Sequence, residues 1–173
     1  MNETMQTILT RRSVRNFTNE PISEDILTNL VDAAMHAPSG MCRKTWKFTV
    51  ISNKEIIKKL AETIKKVTNR EVYDMYNPTA IIIPSNDRES AWGRDDNACA
   101  LQNIFLAAHS FGVGSVWLNQ LSNICDEREV RTILTELEIP ENHIVYGFAA
   151  LGYPDKSAQE RPYRKIGEVK FIK

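Results

Sequence analysis

Apolar residues recur along this chain at two spacings, and each spacing implies a different element. Met5, Ile8 and Leu9 keep a helical step before Arg11, and Ser13 to Phe17 breaks it. Ser23 can cap a second helix, because its hydroxyl accepts from the first free amides, and Ile26, Leu27, Leu30, Val31 and Ala34 form one stripe along it. That helix ends before Pro38, since a residue ahead of proline disfavours helix, so Ala37-Pro38-Ser39-Gly40 reads as loop. Asn53 opens a third helix carrying Ile56, Ile57, Leu60, Ala61 and Ile64. The longest helix runs from about Asp96 to Phe111, with Ala98, Leu101, Phe105 and Ala108 on one side and Gly112 placed to end it. Asp126 and Glu129 have the spacing of a reciprocal cap on a helix bearing Val130, Ile133, Leu134 and Leu137.

Strand signals lie between these helices. Trp46 to Ile51 is aromatic and β-branched, and Ala80-Ile81-Ile82-Ile83 is the continuous apolar run of a strand buried on both faces. Gly114 to Leu118 reads as another strand and Ile144 to Leu151 as a last core strand. The closing Val169-Lys170-Phe171-Ile172-Lys173 alternates but is too short to fold alone; it is expected to pair with an open sheet edge, its own or a partner's.

Composition narrows the class. A chain of 173 residues suits one compact domain over 1–173, and 42% hydrophobic with 25% charged residues is a globular mixture. Twenty-two Lys and Arg balance 22 Asp and Glu, so no global field draws the protein to nucleic acid or an anionic membrane. No apolar run approaches the roughly 20 residues that span a bilayer, and Met1 to Gln6 lacks a secretion signal's order, so a cytoplasmic location is expected. Cys42, Cys99 and Cys125 are widely spaced, as are His36, His109 and His143, which points away from a disulfide framework or a metal cluster.

Positive charge is densest at Arg11-Arg12-Ser13-Val14-Arg15, where a helix meets a turn. Guanidinium forks, a serine hydroxyl and turn amides suit a phosphate. A solvated helix end, favourable at the negative pole of a helix, is the plainer reading of such a cluster taken alone. A nucleic-acid patch is disfavoured, because no aromatic-basic interleaving follows.

Four stretches taken in order change that weighing. They are Arg11-Arg12-Ser13-Val14-Arg15-Asn16-Phe17; Ala37-Pro38-Ser39-Gly40 leading to Trp46-Lys47-Phe48; Gln102 to Ala108 leading to Gly112-Val113-Gly114-Ser115-Val116-Trp117; and Leu151-Gly152-Tyr153-Pro154 with Arg161, Arg164 and Lys165 beyond. Over nearly its whole length the chain resembles the nitroreductase family. The resemblance implies an α+β fold with a central, mainly antiparallel sheet flanked by helices. It also implies an intertwined homodimer, a tail from about 153 to 173 wrapping the partner subunit, and one flavin mononucleotide (FMN) in each of two interface pockets.

Carried over position by position, the resemblance places Arg11, Arg12, Ser13 and Arg15 at the flavin phosphate and ribityl chain. Arg164, with Arg161 or Lys165, closes around the phosphate from the tail. Arg15 also lies near the N1 and O2 edge of the ring, where a cation favours reduced flavin. Pro38, Ser39 and Gly40, continued by Met41, Cys42 and Lys44, reach the flavin from the other subunit, and Gly114, Ser115, Val116, Trp117 and Leu118 border the ring. By itself Trp117 is more readily a core aromatic than a stacking partner.

Two departures stand out. Relatives often carry Asn and then Gln-Pro where this chain has Cys42, Lys44 and Thr45, and Cys42 is expected to be a small buried substitute rather than a reactive thiol. Little chain lies between Lys66 and Asn77 or after Gln120 to form a lid, and Tyr73, Met75 and Tyr76 are read as packing before they are read as an entrance. The implied activity is ping-pong transfer from NADH or NADPH through flavin N5 to a small electron-poor acceptor such as a nitroaromatic or quinone, with no catalytic side-chain acid, base or nucleophile. The alternative is an FMN-binding storage or sensor protein with little turnover.

Overall fold

The computed structural model describes residues 2–157 and 167–173. Among these residues five α-helices, α1 (Glu3–Thr10), α2 (Glu24–Met35), α3 (Lys54–Val67), α4 (Gly93–Ser110) and α5 (Arg128–Glu136), accompany five strands, β1 (Trp46–Ile51), β2 (Ala80–Asp87), β3 (Gly114–Leu118), β4 (His143–Ile144) and β5 (Phe148–Gly152). The sheet is ordered β1-β2-β5-β3, with β4 pairing β2, and every one of these strand pairs is antiparallel. The architecture is the expected α+β one.

Side-chain alternation on the central strands divides the core. Ile81, Ile83, Phe148 and Ala150 face one cluster with α3 and α5, whereas Ala80, Ile82, Ala149 and Leu151 face the other with α2 and α4. Helices thus cover both faces, which is why β2 reads as a continuous apolar run. Caps set by neighbouring residues follow the sequence pattern: Ser23 Oγ accepts from Ile26 N at 3.3 Å, and Asn53 Oδ1 accepts from Glu55 N at 2.9 Å.

Three expectations need correction. The reciprocal cap at Asp126 and Glu129 does not form: Glu127 occupies the cap position without a side-chain bond. Asp126 is drawn instead to Arg88 at 2.9 Å and Arg131 at 3.0 Å, and Glu129 to Lys66 at 3.0 Å. The last core strand is two strands, interrupted at 145–147, and at Gly147 a Cβ would stand 2.4 Å from Trp117 Nε1. The longest helix begins three residues before Asp96, at Gly93. Residues 167–173 carry no regular secondary structure and are exposed.

Candidate functional site

The basic turn is held by the edge strand β3. Val14 N donates to Ser115 O at 2.9 Å, and Ser13 bridges Ser115 in parallel register. In this extended segment successive side chains point opposite ways, so buried Val14 anchors the backbone while Ser13 and Arg15 face outward. Gly114 is required beneath it, since a Cβ there would lie 2.9 Å from Val14. Three residues on, Thr18 N donates to Tyr153 O at 2.9 Å, and Phe17 packs over Gly152, where a Cβ would come within 2.8 Å of its side chain.

A cavity of about 180 Å3 opens beside this turn, lined among others by Arg11, Arg12, His109 and the stretch from Gly112 to Ser115. Arg11, Arg12 and His109 line it, and among the described residues no Asp or Glu does. Burial, and then the charges of Arg11 and Arg12, hold His109 below its ordinary pKa. The arrangement suits an anion. Arg15 is not among the residues lining the cavity, and its guanidinium carbon lies 5.8 Å from the centre of the Tyr76 ring.

The Pro38–Lys44 loop sits at the opposite end of α4. Ser39 Oγ donates to Asp96 Oδ2 at 2.9 Å, Gly40 N donates to Asp96 Oδ1 at 2.8 Å, and Lys44 N donates to Ser39 Oγ at 3.0 Å. Met41, Cys42 and Lys44 all have positive φ, of 50°, 57° and 49°, an arrangement non-glycine residues adopt only where surrounding contacts impose it. Trp92 backs the loop: a Cβ on Gly40 would lie 2.4 Å from its ring, and the Arg43 guanidinium lies 5.6 Å from the ring centre. Beneath them is a buried polar relay. Thr45 Oγ1 donates to Asn86 Oδ1 at 2.6 Å, Asn86 Nδ2 donates to Asn97 Oδ1 at 3.3 Å, and Asn97 Nδ2 donates to Pro84 O at 3.2 Å.

The basic turn and the loop are therefore not brought together within one chain. From Asp96 to His109 is 13 helical steps, about 20 Å at 1.5 Å per residue. On β3, Val116 and Leu118 enter the core, while Trp117 corrects its expected burial: it is 40% exposed, tilted against Phe105 at 6.0 Å. Cys42 corrects its expectation too, being exposed on the loop, because the left-handed turn carries it outward. Arg161, Arg164 and Lys165 lie outside the described residues.

Around the short lid region, Met75 is core packing at 1% exposed, and Tyr73 donates to Gln120 Oε1 at 2.9 Å. Burial pushes the Tyr73 hydroxyl pKa up. Tyr76 remains open beside Arg15. Sequence reasoning did not single out Asp96, Asn86, Asn97, Trp92 or the place of His109. Only Asp96 had a local signal, as an acid in the first turn of a helix, and its loop partners lie 56 and 57 residues away.

Comparison with known proteins agrees with this architecture. A model of the Nitroreductase family matches residues 8–153. The crystal structure of a nitroreductase with bound FMN from Bacteroides fragilis is similar at a TM-score of 0.94 and 38% identity, covering 100% of both chains. An FMN-dependent nitroreductase from Clostridium difficile gives 0.76 at 28% identity over 97% of this chain and 99% of its own. An Archaeoglobus fulgidus protein provisionally named NADH dehydrogenase/NAD(P)H nitroreductase is 32% identical over 161 residues, 89% of this chain and 87% of the relative. Agreement in sequence over most of the chain and in fold over all of it means that this protein belongs to the nitroreductase family.

Proposed function

We propose that this chain is an FMN-dependent NAD(P)H oxidoreductase that works as a homodimer, with the basic turn of one subunit and the Pro38–Lys44 loop of the other enclosing each flavin. The observation that carries the reading is the separation of these segments by most of the length of α4. A cavity of about 180 Å3 is also smaller than the roughly 300 Å3 at which ligand pockets begin, so a second wall is needed. Met5 and Ile8 on α1 and Phe111 after α4 are exposed apolar residues near the basic turn, and a partner subunit would cover them.

The residues present fit the cofactor. Arg11 and Arg12, with the exposed Ser13 hydroxyl beside them, offer donors to a phosphate in a cavity that no Asp or Glu lines among the described residues, and Arg161, Arg164 and Lys165 of the tail are assigned to complete the grip. Arg15 places a positive charge where the ring edge gains negative charge on reduction. The outer side of β3 and the exposed Met41 wall the ring and exclude water. When bound, FMN supplies the two-electron chemistry at N5, so no side chain has to act as acid, base or nucleophile. Donor and acceptor then use one site in turn, and the acceptor is a small electron-poor molecule such as a nitroaromatic or quinone. The tail of about 153 to 173 is assigned to wrapping the partner subunit, with its start held on its own chain, where Tyr153 O accepts from Thr18 N and Asp155 N donates to Asn16 O.

Purified protein should be a yellow dimer by sedimentation, releasing about one FMN per chain. Double-reciprocal plots with NADH or NADPH and a varied acceptor should be parallel. A protein that holds FMN but resists anaerobic reduction by both nicotinamides would be a flavin store or sensor, and one that binds no FMN would overturn the reading.

A further inference from the structure

We infer that Asp96 is a positioning residue for the flavin, fixing through Ser39 the polarity of the hydrogen bond that the Pro38–Lys44 loop offers to the cofactor. The inference rests on the FMN reading above but is carried by geometry of its own. Asp96 is 4% exposed and spends both carboxylate oxygens on the loop, one on the Ser39 hydroxyl and one on the Gly40 amide. It lies in the first turn of α4, next to the end of the helix that the loop packs against.

A serine hydroxyl has one proton and two acceptor positions. The proton of Ser39 goes to Asp96, and one acceptor position takes the Lys44 amide. What remains toward a ligand is a single lone pair. Ser39 therefore accepts from the flavin, whose donors are the ribityl hydroxyls and ring N3–H, and does not donate to it. The same carboxylate holds the loop in its left-handed course between Gly40 and Lys44, against the Trp92 ring. Loop shape and hydrogen-bond polarity thus depend on one buried acid.

The test compares Asp96→Asn, Ser39→Ala, Ser39→Thr and the Asp96→Asn/Ser39→Ala double variant. Asparagine retains an acceptor for Gly40 N–H but turns an NH2 toward Ser39, so the hydroxyl proton must point elsewhere. FMN dissociation constants from fluorescence quenching should rise about tenfold for Asp96→Asn and for Ser39→Ala. They should rise no further in the double variant and stay near wild type for Ser39→Thr. In flavin-free protein, amide exchange at Gly40 and Lys44 should quicken about tenfold in Asp96→Asn, with melting of the folded dimer reported separately. Unchanged FMN affinity and exchange in Asp96→Asn, or losses that multiply in the double variant, would overturn the inference. Should Asp96→Asn not fold, unchanged affinity in Ser39→Ala would do so alone. A wild-type protein that fails to bind FMN would sink the cofactor reading, while slow exchange at Gly40 and Lys44 in that same protein would still report the clamp.

Discussion

Thr10 Oγ1 and His109 Nε2 stand 2.8 Å apart, tying the end of α1 to the last turn of α4 beside the basic cavity. Thr10 gives its only hydroxyl proton to Gln6 O at 2.7 Å, so it accepts from His109, and the neutral imidazole carries its proton on Nε2. A loop sequence of basic residues is thereby backed by an uncharged histidine.

That state makes stability depend on pH. His109 is held below its ordinary value of 6.5 by burial first and by Arg11 and Arg12 next, so the unfolded chain binds the proton more readily than the folded one. Stability is whole above about pH 6.5 and declines as pH falls from there toward the lower folded value. His109→Gln should flatten this slope in urea titrations of flavin-free protein. His143, shifted the same way by burial, should leave a residual slope. A slope identical in the variant would show that His109 does not contribute.

Arg15 should set part of the flavin potential. Arg15→Gln removes a cation from the ring edge and should lower the midpoint by about 20–30 mV, using the equivalence of roughly 30 mV to 1.4 kcal/mol for two electrons. Arg15→Lys should retain most of the potential. Spectroelectrochemical titration decides, and equal potentials in all three proteins would remove Arg15 from the ring edge.

Gly40 is needed for contact rather than for φ. Its substitution by Ala puts a methyl group 2.4 Å from the Trp92 ring, and overpacking of this kind costs about 1–3 kcal/mol. The melting temperature should fall by roughly 2–4 °C per kcal/mol in a domain of this size. Trp92→Leu introduced beside Gly40→Ala should recover part of the loss in calorimetry; a double variant less stable than both singles would contradict the packing account.

Asn97 joins β2 to α4 through buried bonds to Pro84 O and Asn86 Nδ2. Removing it leaves both without that partner, so Asn97→Ala should cost about 1–3 kcal/mol and shift the urea midpoint down at unchanged slope. Asp126 provides the contrast. Its pairs with Arg88 and Arg131 are more than half exposed on the acid's side, so Asp126→Asn should cost below about 1 kcal/mol.

Features set by nearest neighbours were legible in advance. Ser23 and Asn53 cap the helices that follow them, because donor and acceptor lie within three residues. The Asp126–Glu129 spacing misled for the opposite reason: Arg88, brought in from 38 residues away, offers that carboxylate a bidentate partner. Cys42 and Trp117 were read as buried from residue type alone, yet a left-handed turn and an edge strand carry both outward.

From the linear chain alone came the two periodicities, the buried central strand and the ordered motifs of a nitroreductase, because each depends on residue types at short separation. The folded chain decided that Asp96 holds the Ser39–Gly40 loop and His109 backs Arg11, and that these two regions stand about 20 Å apart along α4. No local rule contains that outcome, since it follows from which distant surfaces pack against the ends of one helix.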